Sequence, residues 1–405
     1  MMTAPTLNPH AAQLSDYPFD RLRALLDPIS PPPDVTPLAL SIGEPRHTPP
    51  ELIGETLNAN AHLWDRYPPI DGTPDFRAAV HEWLTRRFNL PDEFIDRDSQ
   101  ILPVLGTREA LFLIAMLAVN EDQKERRPAV LFPNPLYHVY SGAAEMSGAD
   151  AITMAATRKS GFLPDLDALD NETLDRAAMM TVCSPSNPQG CVADVAYLKH
   201  AIELARKHAF ILVLDECYSE IYSETPPTGG AEACHALGGG MENVLIFHSL
   251  SKRSSAPGLR SGFVAGDPDL IKRFKRLRNF GGATMPMPVM AASAALWREE
   301  AHVEENRTLY RQKFDLADEL LKDRFNYFRP AGGFFLWLDV SAHGGGEAVT
   351  KKLWAEASLR VLPGAYISRT QPDGPNPGDD YIRVALVHPP DITKIALEGI
   401  LKVLR

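Results

Sequence analysis

Cysteine is scarce in this chain: Cys183, Cys191, Cys217 and Cys234 are the only ones in 405 residues. None forms a CxxC pair or stands at ligand spacing from a histidine, so neither a structural zinc site nor any other metal is indicated. Cys183 and Cys217 fall near residues singled out below and read as small buried hydrophobes. Long apolar runs are missing as well. The longest, Ala110 to Val119, is too short to span a bilayer, so no membrane partner is expected. The opening residues Met1-Met2-Thr3-Ala4-Pro5 lack the basic-then-apolar order of an export signal. Scattered thiols without such a signal fit a cytoplasmic protein. Positive charge is the third deficit. The net charge is −11 and no basic tract is long enough to oppose it, which argues against a nucleic-acid partner. Up to Leu40 the only arginines are Arg21 and Arg23, and there is no lysine.

What is present describes a soluble globular chain, with 44% hydrophobic and 23% charged residues. Its length exceeds what a single core organises, so two domains are expected. The acidic balance does not exclude anionic ligands. Salt screens exposed charges beyond roughly 8 Å, so a few arginines at contact distance decide the matter inside a cleft.

The most informative stretch is Ser249-Leu250-Ser251-Lys252-Arg253, followed by Pro257-Gly258-Leu259-Arg260. A lysine behind two hydroxyls, with a glycine and a further cation close by, suits an aldehyde cofactor that carries a phosphate. Lysine fits the work because its deprotonated amine is nucleophilic, and desolvation or a nearby cation brings its pKa down. Arginine stays protonated at any working pH. The competing reading is a solvated basic loop around Lys252-Arg253.

Upstream, Phe210 to Leu214 is an apolar strand pattern ending at Asp215, with Tyr218 following. A carboxylate at the end of a buried strand needs a cationic partner. Met179 to Cys183 is a second strand, running into the turn Ser184-Pro185-Ser186-Asn187-Pro188-Gln189-Gly190. Taken singly, Asn187 reads as a turn former and Asp215 as a helix cap. Between these strands Leu198, Ala201, Ile202 and Ala205 fall at helical spacing, which predicts parallel strands. Val244 to Phe247 and Gly262 to Ala265 add two more strands. Asn187, Asp215 and Ser249 thus each follow an apolar strand, where α/β sheets place ligands. Farther on, Phe314, Ala317, Leu320 and Leu321 mark a helix and Gly333 to Leu338 a strand. Pro31 to Pro33, Gly344 to Gly346 and Pro372 to Pro377 read as loops.

The ordered set Asn187-Pro188-x-Gly190, Asp215-x-x-Tyr218, Ser249-x-x-Lys252 and Arg260 resembles the class I/II aminotransferases, fold-type I enzymes that use pyridoxal 5′-phosphate (PLP). Ile42-Gly43-Glu44-Pro45 resembles that family's loop at the substrate carboxylate. Tyr67-Pro68-Pro69-Ile70-x-Gly72 resembles the segment whose tyrosine crosses to the neighbouring subunit's cofactor phosphate. Gly106-Thr107-Arg108-Glu109-Ala110-Leu111 resembles the phosphate-binding helix start, and Tyr381-Ile382-Arg383 the strand of the carboxylate-binding arginine. The resemblance implies an α/β fold with a mostly parallel central sheet flanked by helices, plus a smaller α/β domain. A large PLP domain over 48–286, a small domain from 1–47 and 287–405, and a homodimer are implied with it.

It also implies roles. Lys252 bonds the cofactor and shuttles the proton, and Asp215 keeps the ring nitrogen protonated. Asn187 and Tyr218 hydrogen-bond the ring oxygen, while Arg260, Ser249 and the amides near Thr107 and Arg108 hold the phosphate. Arg383 binds the substrate's α-carboxylate, with Gly43 and Asn187 nearby, and Tyr67 reaches the partner's site. Tyr137 either stacks on the ring or is a core aromatic. The substrates are then an amino acid and a 2-oxo acid. Pro18-Phe19-Asp20-Arg21-Leu22, Gly43 to Pro50 and Ser249 to Asp267 further resemble the bacterial succinyldiaminopimelate transaminases of lysine biosynthesis. That would make the amino donor N-succinyl-LL-2,6-diaminopimelate, with 2-oxoglutarate as acceptor. Either Arg46 or Arg108 would pair with its distal carboxylate, or both are surface arginines. The alternative is a broad transaminase for aromatic amino acids, kynurenine, glutamine or aspartate. A PLP-dependent C–S lyase and a regulatory aminotransferase-like domain are further rivals.

Overall fold

The computed structural model describes residues 7–120, 126–372 and 374–405. Met1 to Pro5, read above for an export signal, and Asp373 of the Pro372–Pro377 loop lie outside the described residues. Twelve strands occur among the described residues: β1 (Leu38–Ala39), β2 (Ile101–Val104), β3 (Ala129–Asn134), β4 (Asp150–Ala155), β5 (Ala177–Cys183), β6 (Ile211–Asp215), β7 (Val244–Ser249), β8 (Gly262–Gly266), β9 (Phe335–Asp339), β10 (Leu359–Arg360), β11 (Leu362–Pro363) and β12 (Tyr381–Ala385). The central sheet has seven strands in the order β2-β8-β7-β6-β5-β3-β4. Only β8 runs against its neighbours, pairing antiparallel with both β2 and β7. The expected mostly parallel α/β sheet is what forms.

Strands β5, β6 and β7 are continuous hydrophobic runs because both faces of this sheet are covered. Side-chain alternation sends Leu212 and Leu214 to a core with Phe76, Trp83 and Trp297 on one face. Ile211 and Val213 go to a second core with Ile114, Phe132 and Phe247 on the other. Helix ends follow the local chemistry. Asp194 caps the Val195–His208 helix by accepting from the Tyr197 amide at 2.8 Å, and Ala209 closes it in the left-handed conformation. Gly344 and Gly345 make the expected turn, but Gly346 already opens the Gly346–Ala357 helix.

A smaller antiparallel sheet, β11-β12-β9, packs against the Ala301–Leu321 and Pro390–Val403 helices, with Tyr310, Phe314, Leu336, Ile382, Leu397 and Ile400 in its core. The N-terminal β1 pairs with β10, so the two chain ends meet. The Met287–Arg298 helix packs the other way: its Met290, Ala294, Leu296 and Trp297 join the core of the large sheet.

The register Cys183–Asp215–Phe247 across β5, β6 and β7 brings three parallel carboxyl ends to one edge. The loops after them carry Asn187, Tyr218 and Lys252.

Candidate active site

At that edge lies a cavity of ≈ 680 Å³, large enough for a cofactor with substrate. Gly43, Thr107, Arg108, Tyr137, Asn187, Asp215, Tyr218, Ser249, Lys252, Arg260 and Arg383 all line it. Tyr67 does not; its side chain is 100% exposed.

Lys252 stands on the single helical turn Leu250–Arg253, whose N-cap Ser249 accepts from the Ser251 amide. Burial lowers its amine to about 8; Arg383 and Arg260 push the same way, against Cys217 and Glu44. A substantial neutral fraction therefore exists near neutral pH, as a nucleophilic amine requires. Its Nζ donates to the Gly43 carbonyl. The solvated-loop reading fails at Arg253, which is 2% exposed and donates to the Leu296 carbonyl at 2.7 Å and to Glu300 at 2.8 Å.

Asp215, at the end of β6, is 5% exposed. Its Oδ1 accepts from the Cys217 amide at 3.3 Å, a local cap-like contact, and its Oδ2 accepts from the Tyr140 hydroxyl at 2.6 Å. Both donors are neutral, and among the described residues no Lys or Arg bridges the carboxylate. Tyr140 stays a phenol, since burial and then Asp215 push its pKa well up. The sequence reading passed over Tyr140, although it lies one helical turn beyond Tyr137 and shares its face.

Arg383 is held from two sides. Its Nη1 donates to Asn187 Oδ1 at 2.9 Å and its Nη2 to the Ser41 carbonyl at 2.7 Å. Phe335 lies under it, 4.4 Å from the ring centre, and its buried Nε has no hydrogen-bond partner among the described residues. Burial brings its pKa to about 10, so it remains a cation. Because Asn187 accepts through Oδ1, its amide N–H groups stay available to the cavity. Tyr218 packs edge-on against Phe334 at 5.4 Å, with burial raising its pKa well above the usual range.

A different chemistry gathers at the start of the Thr107–Ala118 helix. Arg260 crosses it, donating to the Leu105 carbonyl at 2.9 Å and to the Pro257 carbonyl at 2.9 Å. Gly106 makes this approach possible: its φ is +71°, and a Cβ there would sit 2.5 Å from Arg260 Nη2. Helix amides, a guanidinium and the Ser249 and Ser251 hydroxyls line the cavity here, donor types suited to an anion. Arg108 Nε donates to the Tyr137 hydroxyl at 2.8 Å, and Tyr137 meets Tyr140 edge-on at 5.6 Å. Arg46, the other arginine considered for a distal carboxylate, lines a separate cavity of ≈ 420 Å³ beside His47 and Asn306.

This donor set fits PLP. It offers an amine of lowered pKa for the aldehyde, a buried carboxylate for the ring nitrogen, a phenol and an amide for the ring oxygen, and a cradle for the phosphate. The described residues contain no group of histidines, cysteines and carboxylates that could hold a metal ion.

Comparison with known proteins points the same way. The sequence profile of the family described as "Aminotransferase class I and II" matches residues 35–400. An aminotransferase structure from Neisseria meningitidis superposes with a TM-score of 0.93 and 40% identity, covering 98% of this chain and 100% of that one. The 4-dedimethylamino-4-oxo-anhydrotetracycline transaminase of Streptomyces rimosus is 30% identical over 92% of this chain and 95% of its own. An LL-diaminopimelate aminotransferase of Desulforudis audaxviator is 28% identical over 93% and 92%. The chain belongs to the class I and II aminotransferases, the PLP-dependent enzymes that move an amino group from an amino acid to a 2-oxo acid.

Proposed function

We propose that this aminotransferase acts on N-succinyl-LL-2,6-diaminopimelate with 2-oxoglutarate as acceptor, in lysine biosynthesis. The observation that carries the reading is the pair Arg383 and Arg108 in one cavity with Lys252. Arg383 takes the α-carboxylate, and Arg108, anchored to Tyr137, takes a carboxylate at the far end of a long substrate. Arg46 is not needed, since its cavity is a different one. The LL-diaminopimelate aminotransferase named above supports the substrate class.

PLP, when bound, supplies an electron sink for the substrate's α-carbon. The chain's own residues do the rest. The Lys252 amine would hold the cofactor and, once the substrate's amine takes its place there, would move the proton at the substrate's α-carbon. Asp215 keeps the ring nitrogen charged, and Tyr140 fixes that carboxylate's orientation. Asn187 and Tyr218 donate to the ring oxygen, while Arg260, Ser249 and the amides of Thr107 and Arg108 bind the phosphate.

A large domain over 48–286 and a small one from 1–47 with 287–405 form part of the reading. The separate core around β9 and β12 supports a small domain, whereas the Met287–Arg298 helix, which a boundary at 287 assigns to it, packs in the core of the large sheet. A cytoplasmic homodimer completes it. Tyr67, Trp64 and Phe280 are exposed at 100%, 56% and 88%, which gives a subunit interface aromatic groups to cover. Tyr67 would enter the partner's phosphate cradle. In a mixed dimer of Tyr67→Phe and Lys252→Ala subunits, both changes then meet in one site and the other site stays intact. If every site carrying Lys252 behaves like the Tyr67→Phe homodimer, the crossing is wrong.

The rival reading is a broad transaminase, favoured by the aromatic lining of Tyr17, Phe19, Tyr137 and Phe335. Steady-state kinetics separates them. The expectation is a kcat/KM for the succinylated diamine at least about a hundredfold above that for phenylalanine, kynurenine or aspartate, a gap that one buried charge pair supplies. Arg108→Ala is expected to lower it selectively. A preference for phenylalanine, kynurenine or aspartate would reject the substrate while leaving the transaminase standing.

A further inference from the structure

Lys252 is tied to the N-terminal segment at both of its ends. Its Nζ donates to the Gly43 carbonyl, and its own carbonyl is tied to His47 through a third residue. That residue is Asn306, on the Ala301–Leu321 helix and 6% exposed. Asn306 Nδ2 donates to the carbonyls of Lys252 at 3.2 Å and Arg253 at 3.3 Å. These are the last carbonyls of the Leu250–Arg253 turn, which is too short to satisfy them itself.

The opposite side of the amide is equally determined. Asn306 Oδ1 accepts from the Ser255 hydroxyl at 3.0 Å and faces His47 Nδ1 at 2.5 Å. An acceptor there assigns the ring proton to Nδ1, leaving His47 Nε2 to accept from Lys313 Nζ at 2.6 Å. Lys313 is 0% exposed, and its other hydrogen bond goes to the Leu386 carbonyl at 2.9 Å. Every donor points the same way along Lys313, His47, Asn306 and the backbone of Lys252. A buried lysine without a carboxylate is costly, and a fold that only needed filling there would use an apolar side chain.

We propose that Asn306 is a positioning residue for Lys252, and that the Lys313–His47 pair holds Asn306 in the orientation this requires. The inference rests on Lys252 being the residue that bonds PLP. A tilt of this short turn would swing Nζ relative to the cofactor ring and the substrate's α-carbon. Small misplacements of that kind cost roughly tenfold to a hundredfold in rate.

The test uses the PLP-loaded enzyme and two variants chosen to fold. Asn306→Asp keeps the shape and removes both donors. Lys313→Met replaces the buried amine with an apolar chain of similar length. The readouts are kcat, KM for the amino donor, thermal midpoint, and visible circular dichroism of bound PLP, which reports how the ring is seated. The expected result is a kcat lowered about tenfold or more in each, with KM changed less than about threefold. The circular dichroism band should change with PLP content unaltered, and His47→Asn, which keeps the donor to Asn306, should lose less than His47→Leu. An unchanged kcat and unchanged band in both Asn306→Asp and Lys313→Met, whatever their thermal midpoints, would make the chain a structural cap and overturn the proposal. Failure of the underlying reading looks different: Lys252→Ala would then still carry PLP linked covalently after borohydride reduction.

Discussion

Lys252 and Lys313 are two lysines under similar pressure in dissimilar places. Burial lowers the first to about 8 and the second to about 7. Around Lys252 there is open volume, with a carboxylate, phenols and guanidinium groups arranged about it. Around Lys313 there is none: its amine lies 4.6 Å from the Tyr310 ring centre and is taken up by His47 and the Leu386 carbonyl. A depressed pKa thus marks both residues but separates neither from the other. Reactivity needs a second condition, an unfilled space with groups complementary to a ligand, and only Lys252 meets it.

The comparison is tested most severely at the reactive lysine. Lys252→Ala is expected to abolish covalent capture of PLP and reduce multiple-turnover transamination on the order of a thousandfold or more, while the protein still folds. Lys313→Met is expected to keep the covalent link. Mass spectrometry after borohydride reduction checks both; a link surviving in Lys252→Ala but lost in Lys313→Met would exchange their roles.

Next in size is the carboxylate that only the Lys252 region possesses. Asp215→Asn leaves a neutral amide opposite the position of the ring nitrogen. Losing one partner of a buried charge pair costs about 3–5 kcal/mol, so α-proton removal should slow about a thousandfold. Stopped-flow half-reactions measure it with PLP still bound. A rate within about tenfold of the parent would mean that another group keeps the ring nitrogen charged.

The two regions also differ in how visible they are in the sequence. Lys252, Asp215 and Asn187 follow apolar strands in chain order, so strand ends and motif spacing together brought them to one edge. Arg383 was legible because Ile382 and Val384 flank it on a strand, and both proved buried. Tyr140 was missed because nothing in its own residue type distinguishes a hydroxyl on Asp215 from a core aromatic. The Lys313 cluster was missed for a deeper reason. Its members lie far apart in the chain, on a loop, a helix and the residues after β12, and only tertiary packing joins them. In the Ala301–Leu321 helix, of the apolar marks Phe314, Ala317, Leu320 and Leu321 all but the half-buried Leu320 are buried, yet Asn306, Arg307 and Lys313 are buried too. Hydrophobic periodicity cannot see a buried polar group, since that position looks like a gap in the stripe. Arg46 shows the converse: a motif neighbour of Gly43 that chain proximity placed at the substrate and the fold turned toward another cavity.

The smallest expected effect lies in stability and isolates Lys313 from the chemistry. Its folded pKa, about 7, is below the ordinary 10.5. Between those values the unfolded chain holds a proton that the folded chain lacks, so this group's contribution to stability rises with pH across that window. Below about pH 7 both states are protonated and the burial penalty is felt in full. Met at this position has no such penalty, but it leaves the Leu386 carbonyl and His47 Nε2 without their donor, at about 1–3 kcal/mol. Lys313→Met should therefore be the more stable protein near pH 6 and the less stable near about pH 10, with the midpoint difference changing sign between. Burial, the larger of the two causes that bring His47 to about 4, remains in Lys313→Met, so the folded ring is expected to stay neutral at the lower pH in both proteins. Shifts of about 2–4 °C per kcal/mol are an upper guide for a chain of this length, well within the reach of differential scanning fluorimetry. A midpoint difference that stays constant from about pH 6 to about pH 10 would show that Lys313 does not titrate in this range. The two lysines would then differ in charge as well as in setting.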